Sequence, residues 1–203
     1  VSRPYVEITR EMVRAFGGNV EWVDNGFLVH AIAGYRARRY AIEPDASSAS
    51  YPFALGAATT GRVTVPDLAP GALQGDYEFV SILERAGARV THDGRGTTVS
   101  GLDGLRGIDV DMHHVSDTVM TLAALAVTAQ GPTTIRNVAN IRIKETDRLT
   151  ATVDELRRLG QHVTAGDDWL RIEPRPITAA IVKSYQDHRM AMSFAILGLV
   201  REG

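Results

Sequence analysis

The 203-residue sequence contains no cysteine, which excludes disulfides, a thiolate nucleophile and any cysteine-ligated metal, while leaving the redox compartment open. It is almost without lysine: of 22 basic residues only Lys144 and Lys183 are not arginine. Neither sign of charge is in excess, the formal net charge being -2, so the basic stripe of a general nucleic-acid binder is missing. No apolar run approaches the roughly 20 residues of a membrane span, and no charged-then-apolar leader opens the chain. Neither a membrane segment nor a signal peptide is therefore expected. The 44% apolar and 23% charged residues form a globular composition, with length for one or two domains.

The sequence repeats itself with a period of roughly 70 residues. A helix-like stretch ending in G-x-x-V and followed by a short strand occurs as "MVRAFGGNVEWV", "ILERAGARVTHD" and "LRRLGQHVTAGD". Gly17, Gly87 and Gly160 fall at matching positions, where a left-handed residue would cap each helix. A second element recurs as "DASSASYPFALGAATTG", "SDTVMTLAALAVTAQG" and "DHRMAMSFAILGLVREG". Each of these starts near an acid (Asp45, Asp117 or Asp187), and the first two run on into the strands "RVTV" and "TTI". Helices of the first kind are amphipathic, as Leu149, Val153, Leu156 and Leu159 set against Asp154, Arg157 and Arg158 show. Those of the second kind are apolar or small nearly all round and belong in a core. The pattern predicts an inside-out α/β arrangement, central helices covered by sheet, with two ordinary α/β-plait units as the alternative. "GYRARRYAIEPD" reads as an arginine-rich strand ending at a hinge before Pro44.

Three regions carry residue types suited to chemistry. Asp45 in "DASSAS" reads first as a helix cap. Asp117 is less easily assigned to capping, because Ser116 already offers a cap, and an acid there suits a general base. "DMHHVSD" has no common zinc spacing, so no metal site is expected. "NIRIKETDRLTA", residues 140–151, reads as a strand-to-helix junction. There Lys144 and Arg148 stand against the positive end of a helix dipole, which points to an anion to bind. Glu145 and Arg148 would share one face at i,i+3. "QDHRMAM" places His188 and Arg189 at the matching mouth of another helix. Cations, acids and a histidine at corresponding ends of repeated units suggest a polyanionic small substrate and acid–base chemistry.

The stretches "VSRPY", "DASSAS", "NIRIKETDRL" and "DHRMAM", in this order and spacing, resemble the 5-enolpyruvylshikimate-3-phosphate synthases, the glyphosate-targeted enolpyruvyl transferases of aromatic amino acid biosynthesis. The resemblance implies an enolpyruvyl transferase fold of βαβαββ units, inside-out and incomplete at both ends here. Residues 1–43 would end the N-terminal domain and 44–203 would form most of the C-terminal one. It implies transfer of the enolpyruvyl group of phosphoenolpyruvate to the 5-hydroxyl of shikimate-3-phosphate, with release of phosphate and without a cofactor or metal. Asp117 then matches the base, Glu145 the acid at the enol methylene, and His188 the active-site histidine. Ser2, Tyr5, Asp117, Asn140 and Lys144 match contacts to shikimate-3-phosphate. Arg148 and Arg189 match the pair that holds the phosphoenolpyruvate carboxylate. A monomeric, cytoplasmic enzyme with no nucleic-acid or membrane partner is implied. The family's early lysine and arginines, its S-S-Q stretch and a late lysine have no counterpart here, so the chain alone is expected to be inactive or nearly so. The competing reading is a non-catalytic anion-binding module of the same repeat. An RNA-end-processing cyclase of similar architecture has no motif support.

Overall fold

The computed structural model describes residues 3–31 and 34–200. Helix α1 (Arg3–Ala15) leads into the antiparallel hairpin of β1 (Asn19–Val23) and β2 (Gly26–His30). Two further units follow the same plan. In one, α2 (Ala46–Ala58) precedes β3 (Arg62–Pro66), then α3 (Phe79–Arg85) and the hairpin of β4 (Arg89–Asp93) and β5 (Gly96–Ser100). In the other, β6 (Asp109–Asp111) and α4 (Val119–Ala126) precede β7 (Thr133–Arg136). Helix α5 (Arg148–Arg158) and the hairpin of β8 (His162–Ala165) and β9 (Leu170–Glu173) complete it. Helix α6 (His188–Val200) begins a third copy of the apolar element.

The repeat read from the sequence is the repeat of the fold. Gly17, Gly87 and Gly160 have φ of 89°, 104° and 81°, the left-handed geometry that ends α1, α3 and α5 and turns each chain into its hairpin. The strands assemble as two sheets beside the β1–β2 hairpin, ordered β3-β5-β4 and β6-β7-β9-β8; among the described strands the β6–β7 pair is parallel and the other pairs are antiparallel.

The apolar helices α2, α4 and α6 pack against one another, with β3 and β5 laid on α2 and β7 on α4. Every residue of α4 is buried. This is the helix-inside, sheet-outside order expected from the two helix types, and it places Phe53, Met120, Leu125, Ile135 and Leu156 in one continuous core. Where the helices cross, Ser50 of α2, Thr121 of α4 and Ser193 of α6 join their hydroxyls at 3.1 Å each, all three wholly buried.

Three sequence expectations are corrected. Helix α6 is not wholly interior: Met192 and Leu199 are 50% and 69% exposed, and among the described residues α6 packs on helices α2, α4 and α5 without a sheet laid over it. The arginine-rich stretch before Pro44 forms no strand over residues 34–45. Arg36 gives its amide to the Phe16 carbonyl and Arg38 its guanidinium to the Ala15 carbonyl, so the segment is tied to the end of α1 instead of to a sheet. The residues of "NIRI" form a short 3-10 helix, Ala139–Ile143, rather than a strand.

Candidate active site

The starts of the three apolar helices carry different residues on equivalent scaffolding. Asp45 caps α2, accepting the Ser48 amide at 2.9 Å, and this lowers its carboxyl despite partial burial. Asp117 does not cap α4; it belongs to the short 3-10 helix His113–Thr118 that leads into it. Ser116 does not cap either, since it is buried and accepts the Asn140 side-chain amide at 3.0 Å. Asp187 precedes α6 and accepts the Arg189 amide at 2.8 Å.

Around Asp117 the chain gathers three cations. Its Oδ1 lies 3.3 Å from Arg148 Nη1 and 3.5 Å from Lys144 Nζ, and its Oδ2 accepts from Arg189 Nη2 at 2.9 Å. Arg148 is completely buried, an extreme position for a guanidinium. It is held by Asp187 through two bonds, Nε at 2.7 Å and Nη2 at 3.2 Å, and its Nη2 also lies 2.5 Å from Glu145 Oε2. This fork geometry is available to arginine and not to lysine. Burial alone would raise the Asp187 carboxyl. The Arg148 guanidinium and the Arg189 and Met190 amides outweigh that and leave it below its ordinary value. On Arg189, burial is likewise outweighed by the Asp117 charge, which holds its pKa above the usual value.

The junction that presents these groups is built locally. Asp147, not an earlier residue, caps α5 by accepting the Thr150 amide at 3.0 Å. Lys144 and Glu145 therefore lie in the link between the 3-10 helix and α5, and Arg148 is the first helical residue. The anions that the dipole argument called for are present as the protein's own carboxylates. Arg142 braces this link: its guanidinium gives 2.8 Å bonds to Asp147 Oδ2 and to the Asp167 carbonyl, and 2.9 Å to the Gly166 carbonyl in the β8–β9 turn.

Tyr5 approaches from α1. Its hydroxyl donates to Asp76 Oδ2 at 2.8 Å, and its ring lies 5.9 Å from Lys144 Nζ. Asp76 is 1% exposed and also accepts from Ser47. Burial raises the Asp76 carboxyl, more than the Ser47 and Tyr5 bonds lower it, and burial plus the Asp76 charge raise the Tyr5 phenol.

The sequence-chosen Tyr5, Asp117, Asn140, Lys144, Glu145, Arg148 and Arg189 thus form one connected cluster. His188 opens α6 but is exposed, and Ser2 lies outside the described residues. Asp187, Asp76 and Tyr51 were not singled out as site residues. Asp187 resembles a helix cap, Asp76 sits in the short 3-10 helix Gly75–Glu78 without a motif, and Tyr51 is hidden in an apolar helix. Their signal is burial: the Tyr51 hydroxyl, Asp76 Oδ1, Asn140 Oδ1 and Arg189 Nε are all buried without a hydrogen-bond partner. Unpaired buried polar atoms are rare, and these four gather around one charged cluster. Among the described residues no three His, Asp or Glu side chains converge as a metal site. A groove of about 870 Å3 opens beside α1, but Arg3, Glu7, Trp22 and His114 line it, not the charged cluster.

A profile of the EPSP synthases (3-phosphoshikimate 1-carboxyvinyltransferases) matches residues 1–203, the whole chain. The chain belongs to the EPSP synthase family. Among relatives, a 3-phosphoshikimate 1-carboxyvinyltransferase of Nostoc sp. is 48% identical over 204 residues, covering 100% of this chain and 48% of its own. One of Yersinia pestis is 44% identical, covering 98% and 47%. The EPSP synthase of Acinetobacter baumannii superposes with a TM-score of 0.82 at 25% identity over 96% of this chain and 48% of that one. The enolpyruvyl transferase NikO of Streptomyces tendae shares the fold, with a TM-score of 0.66 at 21% identity. The chain spans about half the length of the EPSP synthases it matches.

Proposed function

We propose that this chain carries the acid–base and carboxylate-binding part of an enzyme that transfers the enolpyruvyl group of phosphoenolpyruvate to the 5-hydroxyl of shikimate-3-phosphate. The observation that carries the reading is Asp117 set among Lys144, Arg148 and Arg189, with Glu145 on the outer edge of the same arginine. Both substrates are phosphorylated and one is also a carboxylate, so bringing them together requires several cations to offset their repulsion. A site that only bound anions would gain nothing from carboxylates among those cations. A proton-transfer catalyst requires them.

In this reading the cations orient Asp117 as the acceptor of the 5-hydroxyl proton. Asn140, Lys144, Tyr5 and Ser2 position the sugar phosphate, His188 stands at the rim, and Arg148 and Arg189 receive the phosphoenolpyruvate carboxylate. Glu145 is the exchangeable member: its side chain is 49% exposed, whereas Arg148 is buried and clamped by the buried Asp187. An arriving carboxylate replaces Glu145 on Arg148 and leaves Glu145 beside the substrate, where, no longer paired with the guanidinium, it takes up a proton from solvent and delivers it to the enol methylene. Residues 1–43 close the preceding domain and 44–203 form most of the next, a division supported by the irregular stretch 34–45. Cytoplasmic location and a monomeric whole enzyme rest on the family resemblance alone.

The test is phosphate release from shikimate-3-phosphate plus phosphoenolpyruvate, by the chain alone and mixed with the N-terminal half found in its relatives. The expected result is little or no activity alone, activity on mixing, and its loss with Asp117→Asn or Glu145→Gln. No activity in any combination of folded pieces would refute the reading.

A further inference from the structure

The proposed mechanism leaves Tyr51 unused. It lies in α2, 7% exposed, among the alanines and Phe53 of the core. Its hydroxyl oxygen lies against the Arg189 guanidinium, close enough to feel Arg148 and Asp117 as well, while its buried O–H has no acceptor. Arg189 spends Nη2 on Asp117 and leaves its own buried Nε–H unpaired. A buried phenol left unpaired destabilises the free protein, since its hydration is lost and nothing replaces it. The protein's nearby acceptors are committed: Asp117 to three cations and Asp187 to Arg148 and the start of α6. Tyr51 O–H and Arg189 Nε–H can both donate toward one entering group, and two acceptor oxygens on one carbon would serve both. A carboxylate satisfies that requirement.

We propose that Tyr51 binds substrate, its hydroxyl and the Arg189 Nε–H together holding the carboxylate of the enolpyruvyl donor. This rests on the function proposed above and adds to it a neutral donor from α2, a helix otherwise devoted to packing. A neutral donor selects for hydrogen-bond geometry without adding charge, so it favours a carboxylate over other anions that the arginines alone would accept.

The test uses the Tyr51→Phe variant of the chain, which keeps the ring and removes only the hydroxyl. Phosphoenolpyruvate, pyruvate and inorganic phosphate are each titrated against wild type and variant, and thermal midpoints are taken without ligand. The expected result has two opposite signs. Affinity for phosphoenolpyruvate and pyruvate falls at least tenfold while phosphate binding changes less than about twofold, and the ligand-free variant melts at or above the wild-type temperature. A merely structural hydroxyl would give the reverse: unchanged affinities and a lower melting temperature, which overturns the proposal. An equal loss for all three anions also overturns it. If the wild-type chain binds no phosphoenolpyruvate and the mixed halves release no phosphate, the functional reading itself falls, and this inference with it.

Discussion

The Arg148–Asp187 pair permits a sharp test of how the site is held. Asp187→Asn preserves shape, and its amide oxygen can still accept the Arg189 amide, but it removes the charge facing a fully buried guanidinium. Breaking a buried ion pair on one side typically costs about 3–5 kcal/mol. Arg148 retains Asp117 at 3.3 Å and Glu145 at 2.5 Å, so the lower end, about 3 kcal/mol, is expected. For a chain of 203 residues that corresponds to a melting point lower by about 6–12 °C. Asp187→Ala also loses the helix-end acceptor and should fall by about 1 kcal/mol more. Thermal denaturation at pH 7 is the assay, with Asp109→Asn, which breaks only the surface pair with Arg136, as the control expected to shift nothing measurable. Because folding depresses the Asp187 carboxyl, its contribution is present above the unfolded value near 4. It drains away as pH falls through the lower folded value. The gap between wild type and Asp187→Asn should therefore close in acid. Equal small shifts for Asp187→Asn and Asp109→Asn would refute the claim that burial makes this pair costly to break.

Other outcomes follow from the same geometry. Glu145→Gln should bind phosphoenolpyruvate several-fold more tightly, because the competing carboxylate is gone, while lowering phosphate release by the mixed halves at least about 100-fold; weaker binding would contradict the exchange on Arg148. Asp76 has the opposite pH sign from Asp187. Its raised carboxyl favours folding below about 4 and loses that contribution as pH rises through the folded value, so the melting difference of Asp76→Asn minus wild type should grow more positive between pH 4 and 8. Arg142→Ala should speed amide hydrogen exchange around residues 144–150 more than in the β3-β5-β4 sheet, since it removes the brace to the β8–β9 turn. Phe53→Ala, at 2% exposure, should cost about 3–5 kcal/mol in urea unfolding.

What the sequence disclosed was periodic. Three glycines at matched offsets gave the helix ends, and the contrast between amphipathic and all-apolar helices gave the layering. Charge density gave Asp117, Lys144, Glu145, Arg148 and Arg189, while Tyr5 and Asn140 came only from the family resemblance. What it hid depended on partners distant in the chain. Asp187 and Arg148 are 39 positions apart, and no local pattern distinguishes a helix cap from an acid that also clamps an arginine. Tyr5 and Asp76 are 71 apart and meet only because α1 reaches the 3-10 helix before α3. The strand expected before Pro44 failed because extended propensity does not supply a neighbour to pair with. The free face of α6 was unreadable for the same reason: apolar composition states what a helix tolerates, not what covers it.

The buried hydroxyls of Ser50, Thr121 and Ser193 set a limit on how this core can change its composition over time. Thr121 bonds both others, so Thr121→Val leaves Ser193 without its partner and strips one bond from Ser50, at about 1–3 kcal/mol. Replacing all three by apolar residues of similar shape strands nothing and can be nearly neutral. Two viable cores, one polar at its centre and one dry, are thus separated by single-step intermediates that are worse than either. Lineages should therefore hold these three positions as a set or exchange them as a set, and the meeting point of the three helices becomes a constraint on their independent divergence.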